Sequence, residues 1–176
     1  MDLKQAGNLL YLVGVTRDEM GGSHYALVNG LGGGTVPHVD LEQAPKIFAA
    51  VHRAITSGLV RSCHDLSEGG LAAAIAEMAF AGGLGVELDI ASVAEAASLS
   101  DPAVLLFSES ATRFLIEVEP AKASHFETTL TGLPLSRVGQ VTSSGRVQIA
   151  ASGEEPVIDA SLAELKAAWL KPLAWE

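Results

Sequence analysis

A chain of 176 residues with 48% hydrophobic content carries enough apolar mass for one domain with a real core, and no shift in composition divides it. A net charge of -10 and a pI near 4.9 argue against non-specific affinity for nucleic acid or an anionic membrane, because both repel it at long range. The lone cysteine, Cys63, forms no internal disulfide, no apolar run approaches the roughly 18 residues of a bilayer span, and Met1 precedes no basic-then-apolar leader, so the expected compartment is the cytoplasm.

Asn8 to Val15 is a continuous apolar run with β-forming residues and predicts a strand covered on both faces. A core strand so near the start is expected of a piece of something longer, although whole chains also begin this way. Arg17 to Tyr25 reads as a loop, with Gly21 and Gly22 free to take positive φ and Ser23 offering a hydroxyl. Gly30 to Thr35 is dense in glycine, yet no Gly-Lys-Ser/Thr follows at phosphate-loop spacing, so a mobile loop is expected there. The next helix should start near Asp40, with Gln43 completing a capping box and with Ile47, Phe48, Val51, Ala54 and Ile55 as its apolar face.

Leu59 to Cys63 predicts a strand, with Cys63 as a small buried residue rather than a nucleophile. His64-Asp65-Leu66-Ser67-Glu68-Gly69-Gly70 then passes into a helix whose inner face is Leu71, Ala74, Ile75, Met78 and Ala79. Ser67 is the expected N-cap. The free N–H groups of a helix start suit phosphate or carboxylate, while the plainer reading is a simple cap. Leu84 to Ile90 alternates as a strand with one covered face, and Val93 to Leu99 is a short helix or turn ended by Asp101-Pro102. Val104 to Phe107 leads into Ser108-Glu109-Ser110, just before a clear strand at Phe114 to Val118. There, a Glu109 to Arg113 ion pair stiffening a loop and a ligand-binding edge are equally good readings. A helix follows Pro120 toward Leu130. Val138 to Val141 and Arg146 to Ile149 read as a hairpin. The last helix opens on a Ser161/Glu164 capping box and buries Leu162, Leu165, Trp169 and Leu170, with Trp169 and Trp175 as packing residues.

Three blocks carry a resemblance. His64 to Leu71 resembles the His-Asp-Val-Ser-Asp-Gly-Gly-Leu segment of phosphoribosylformylglycinamidine synthases (FGAM synthases). Asp18 to Tyr25 is similar to their Glu-Leu-Gly-Gly-Ser-Glu-Tyr, and Leu106 to Phe114 to their Leu-Phe-Ser-Glu-Ser-x-x-Arg-Phe. The blocks keep their order over about a hundred residues. The departures are Leu66 for Val, Glu68 for Asp, and His24 where the family usually has Glu.

The resemblance implies an α/β (α+β) sandwich, a mixed sheet with helices on its faces, like the C-terminal domain of aminoimidazole ribonucleotide synthetase. It implies residues 1–176 as one such domain, the last of a long subunit built from two similar halves. His64-Asp65 rather than Gln-Asp-Met-Gly points to the second half. The implied reaction phosphorylates the amide oxygen of formylglycinamide ribonucleotide with ATP and Mg²⁺, and ammonia from glutamine then displaces phosphate. ATP and Mg²⁺ would be held mostly by other domains, so the isolated chain is expected to be inactive, with no catalytic residue assigned. The implied partners are the preceding ATP-binding-type domains, glutaminase and small accessory subunits, and the ribonucleotide. Neither nucleic acid nor membrane is among them.

Site candidates follow block by block. Gly21, Gly22 and Ser23, then His64, Asp65, Ser67, Glu68, Gly69 and Gly70, then Ser108, Glu109, Ser110 and Arg113 should gather along one side of the sheet. Glycines and the helix start would meet phosphate, Arg113 would add charge, with Arg61 a further arginine available to phosphate, and Asp65 or Glu109 would orient Arg113 or a metal-bound water. Whether the loops border the catalytic or an auxiliary nucleotide site stays open. No metal site is expected from the chain's own ligands, because His24, His38, His52, His64 and His125 show no i, i+4 pair and no zinc spacing. One cysteine without glutaminase context excludes glutamine hydrolysis here. Two alternatives remain: a module that only packs against neighbouring domains, and a related synthetase or kinase of the selenophosphate synthetase, hydrogenase-maturation and thiamine-monophosphate kinase group.

Overall fold

The computed structural model describes residues 1–151 and 155–173. Seven strands form one sheet: β1 (Leu9–Val13), β2 (Val60–Asp65), β3 (Gly85–Asp89), β4 (Phe114–Val118), β5 (Leu135–Thr142), β6 (Arg146–Ala150) and β7 (Pro156–Ser161), in the spatial order β2-β4-β1-β5-β3-β6-β7. Every neighbouring pair is antiparallel except β3 and β6, so the sheet is mixed as expected. The helices are α1 (His24–Val28), α2 (Ala44–Thr56), α3 (Gly70–Gly82), α4 (Ala91–Ala97), α5 (Pro102–Phe107), α6 (Ala123–Thr129) and α7 (Leu162–Leu170).

β1 is buried along its whole length, as its unbroken apolar run requires. Successive side chains of a strand point to opposite faces. Leu10 and Leu12 therefore enter the core under α3, α5 and α7, while Leu9, Tyr11 and Val13 enter a second core with Ile47, Val51 and Ala54 of α2 and Phe126 of α6. The predicted inner face of α3 is buried at all five positions. On β3, Val86 and Leu88 are buried and Glu87 and Asp89 are exposed, so only one face is covered there.

Several expectations are corrected. Residues 17–25 contain the first residues of α1, capped by Ser23, whose Oγ accepts from the Ala26 N–H. Asp40 caps a turn by accepting from Glu42 and Gln43, and the helix proper begins at Ala44. Phe48 and Ile55 lie on its exposed flank, Phe48 meeting the Phe114 ring edge-on at 5.9 Å, while Ala44 and Ala50 join Ile47, Val51 and Ala54 on the buried face. Asp101-Pro102 starts a helix instead of only ending one: Asp101 accepts from the Ala103 N–H and proline occupies the first turn of α5.

The proposed hairpin does not form. β3 lies between β5 and β6, pairing Gly85 with Thr142 and Val86 with Val147. The 143–145 connection crosses over Gly85, where a Cβ would stand 2.3 Å from Ser144 Oγ and 2.8 Å from the Arg146 carbonyl oxygen. β7 was not anticipated; it pairs with β6 at the edge. The Ser161/Glu164 capping box is present. Trp169 and Leu170 are about half exposed, since α7 has a single partner layer and only Leu162 and Leu165 reach the core. Trp169 touches Phe80 with ring centroids 5.7 Å apart, and Trp175 lies outside the described residues.

Candidate functional site

The sheet itself gathers the three blocks. Val13 at the end of β1 pairs with Phe114 at the start of β4, and Asp65 at the end of β2 pairs with the same Phe114. The loops after β1 and β2 and before β4 therefore leave the sheet together, and the gathering expected from the resemblance is present.

Glu109 fastens them. Its Oε1 accepts from the His24 N–H and from the Gly69 N–H, each at 2.8 Å, and His24 Nδ1 stands 3.4 Å from the same oxygen. The start of α3 lies against the 106–108 backbone. A Cβ on Gly70 would come within 2.4 Å of the Ser108 carbonyl oxygen, so only glycine fits. Gly69 and Gly70 both take positive φ, 76° and 61°. Gly69, not Ser67, occupies the N-cap position, and Ser67 instead accepts through its carbonyl from the Gly70 N–H.

Ser108 and Ser110 hold the backbone N–H and carbonyl of one residue of the first loop, Arg17. Ser108 Oγ donates to the Arg17 carbonyl at 2.7 Å, and Ser110 Oγ accepts from the Arg17 N–H at 3.0 Å. Arg113 is 1% exposed. Its Nε donates to the Ser110 carbonyl, one terminal nitrogen to Thr16 Oγ1 and the other to the Ser108 carbonyl. Burial away from water pulls its pKa down to about 10, against the opposing pull of Glu19 and Glu109.

This arrangement revises the roles expected for these residues. Arg113 is a pin between two loops and presents no charge outward. Glu109 orients the backbone amides of His24 and Gly69 through Oε1, and Arg113 is not among its hydrogen-bond partners in the described residues. The Glu109 to Arg113 ion pair is not among the contacts of the described residues. Arg61 lies toward the far end of β2 and pairs with Glu119 at 3.4 Å. His64 is held against α3, with Nε2 3.0 Å from Glu77 Oε2 and Nδ1 2.6 Å from the Asp65 carbonyl. Asp65 is different: its side chain is 72% exposed, with His64 Nδ1 at 3.6 Å. Ser67, Glu68 and Gly22 are also exposed, and Gly21 is buried against Gly34 and Thr35.

Two participants were missed. Thr16 accepts from Arg113, and Glu19 is buried against His38, its Oε2 without a hydrogen-bond partner among the described residues. Glu19 stands inside the first quoted block, and that was its only signal. Beside the loops, Tyr25 stacks on Phe107 at 4.9 Å, and with Val28, Ala72, Ala76 and Ile158 they line an apolar groove of about 490 Å³. Among the described residues no group of three or more His, Cys, Asp or Glu is arranged to hold a metal, and no helix is long and apolar enough to cross a membrane.

The family model described as AIR synthase related protein, C-terminal domain, matches residues 5–152. The phosphoribosylformylglycinamidine synthase subunit PurL of Deinococcus radiodurans is 39% identical over 179 residues, covering 98% of this chain and 23% of that protein. The same subunit from Thermococcus sibiricus is 44% identical over 119 residues, 68% of this chain and 16% of that protein. The chain thus spans about a quarter or less of the length of these relatives. Among solved structures, Thermotoga maritima PurL complexed with FGAR has a TM-score of 0.78 at 21% identity, covering 93% of this chain and 28% of that one. E. coli HypE, a hydrogenase maturation protein, has a TM-score of 0.63 at 20% identity, covering 91% and 50%. At these identities the solved structures show the shared fold. With the family model spanning most of its length, the chain belongs to the AIR synthase related proteins, as their C-terminal domain.

Proposed function

We propose that this chain is the C-terminal domain of the second half of an FGAM synthase, the ligase that converts formylglycinamide ribonucleotide to its amidine with ATP and with ammonia from glutamine. The observation that carries the reading is the convergence of the three family-like blocks at one sheet edge through Glu109. The PurL relative aligned over 98% of the chain supports it. On this reading residues 1–176 are one domain of a larger cytoplasmic enzyme. Its partners are the ATP-binding-type domains, glutaminase and small accessory subunits, and the isolated chain is inactive.

The edge fits one part of a magnesium nucleotide better than another. The N–H groups of His24 and Gly69 are used by Glu109 and Arg113 is buried, which leaves little for a bare phosphate. Asp65 and Glu68 are exposed carboxylates. Mg²⁺ takes one or two carboxylates together with phosphate oxygens, so these two residues suit a metal-bound phosphate. ATP supplies the phosphoryl group that activates the amide. Gly21, Gly22, Ser23, His64, Ser67, Gly69, Gly70, Ser108, Glu109, Ser110 and Arg113 build the wall from which Asp65 projects.

The test uses the longer enzyme that carries this domain. Amidine formation from formylglycinamide ribonucleotide, ATP and glutamine is expected, and Asp65→Asn should weaken Mg²⁺·nucleotide affinity by about tenfold or more. Absence of the activity in the longer enzyme overturns the reading. So does ammonia-dependent ATP hydrolysis by the 176-residue chain as to its incompleteness. A second reading, a face that only docks other domains, is favoured by the apolar groove and the exposed Leu27 and Val28 beside it. It predicts that Asp65→Asn changes nothing while Val28→Asp lowers activity.

A further inference from the structure

We propose that Glu109 is an internal anion. It fills the donor cup where the three loops meet, and it is the positioning residue that fixes His24 and the 67–70 turn before any ligand arrives. Two backbone N–H groups from elements far apart in sequence, His24 and Gly69, aim at one carboxylate oxygen, with the His24 imidazole beside it. Such converging donors at a helix start are what a phosphate oxygen meets in an anion site. Here the protein's own carboxylate stands in that place.

The loop that carries Glu109 is fixed on both sides of it. Ser108 and Ser110 are spent on the Arg17 peptide, and the 106–108 backbone presses on Gly70. Glu109 is left as the side chain turned toward α1 and α3, only 14% exposed. Charge-assisted bonds to backbone N–H groups are stronger than neutral ones, so this contact is suited to setting loop geometry. The consequence goes beyond the nucleotide reading. The start of α3 is closed to an external anion, and the edge is assembled whether or not a nucleotide binds.

The test uses the 176-residue chain labelled with ¹⁵N, as the parent, Glu109→Ala and Glu109→Gln. Glu109→Ala should move the His24 and Gly69 amide resonances and lower the unfolding midpoint. Sodium formate, and not chloride at equal ionic strength, should return both amides saturably toward their parent positions while leaving the parent unchanged. Glu109→Gln keeps an acceptor oxygen and should show a smaller loss with no response to formate. Unmoved His24 and Gly69 amides in Glu109→Ala overturn the proposal, as does a formate effect on midpoint without return of those amides. Should Glu109→Ala not fold, the glutamine variant decides: parent-like His24 and Gly69 shifts there overturn it, and displaced shifts support it. A Mg²⁺·ADP titration of the parent bears only on the nucleotide reading, so the two fail separately.

Discussion

Replacing Arg113 separates a structural pin from a ligand-binding charge. The guanidinium is 1% exposed and makes three hydrogen bonds, to two carbonyls and one hydroxyl, with no carboxylate within 4.0 Å among the described residues. Arg113→Ala strands the carbonyls of Ser108 and Ser110 and Thr16 Oγ1, and empties the volume of the side chain. Each stranded buried acceptor costs about 1–3 kcal/mol, and the missing methylenes about 0.8 kcal/mol apiece. Against these losses stands relief of burying a cation, the same penalty that draws its pKa down to about 10. The balance is a loss of about 3–5 kcal/mol, because three stranded acceptors and the lost methylenes together outweigh that relief. Arg113→Met keeps most of the volume and should lose about half as much. Urea unfolding followed by far-UV circular dichroism measures both. With a slope of about 2 kcal/mol per molar, Arg113→Ala should lower the midpoint by about 2 M, or leave the chain unfolded in buffer. An alanine variant within about 1 kcal/mol of the parent would refute the pin. A methionine variant of parent stability that lost nucleotide affinity in the longer enzyme would return Arg113 to the ligand.

Other expectations follow from separate places in the fold. Glu117 is fully buried and accepts from Lys4 N, Gln5 N, Asn8 Nδ2 and Ser62 Oγ, so Glu117→Gln, which turns one acceptor into a donor, should cost about 2–3 kcal/mol in urea unfolding; no loss would mean the N-terminal segment is not held there. Burial, helped by Asp65, pushes the Cys63 thiol up from its ordinary value of 9.0 to about 11. The folded chain then holds this proton through the window from 9 to 11, so raising pH through it removes stability. Alkylation at pH 8 should run about a hundredfold slower than in the unfolded chain, and equal rates would refute the burial. Thr112 is β-branched at φ 61°, and Thr112→Gly should raise the unfolding midpoint by relieving about 1 kcal/mol of strain. Ser161→Ala removes one half of a capping box and should cost about 1 kcal/mol, read in the same assay.

What the sequence disclosed is what depends on local pattern. The periodicity of α3, the double burial of β1 and the span of β4 follow from side-chain spacing alone, and each was legible. The order of the strands was not. Val138–Val141 and Arg146–Ile149 satisfy every local rule for a hairpin, and what separates them is a third strand whose first residue, Gly85, has no side chain to block the crossing. Short helices were lost for a related reason. α1 and α5, of five and six residues, hold too few apolar positions for a period to emerge, and their caps at Ser23 and Asp101 stand beside glycine and proline that also mark turns.

The candidate site shows where residue type stops being informative. Glu109, Arg113, Ser108 and Asp65 are all polar residues in family-like loops, and each had the chemistry to meet a ligand. A side chain can serve an external ligand only with bonds its own fold has not consumed. Arg113 spends donors on carbonyls, Ser108 its hydroxyl on Arg17, and Glu109 an oxygen on two amides, because burying a loop junction requires its backbone groups to be paired. Asp65 ends an edge strand at the sheet boundary, where no such demand reaches it, and it remains 72% exposed. The blocks that mark the family are therefore mostly the fastening of the edge. The carboxylates of Asp65 and Glu68 remain outside the fastening.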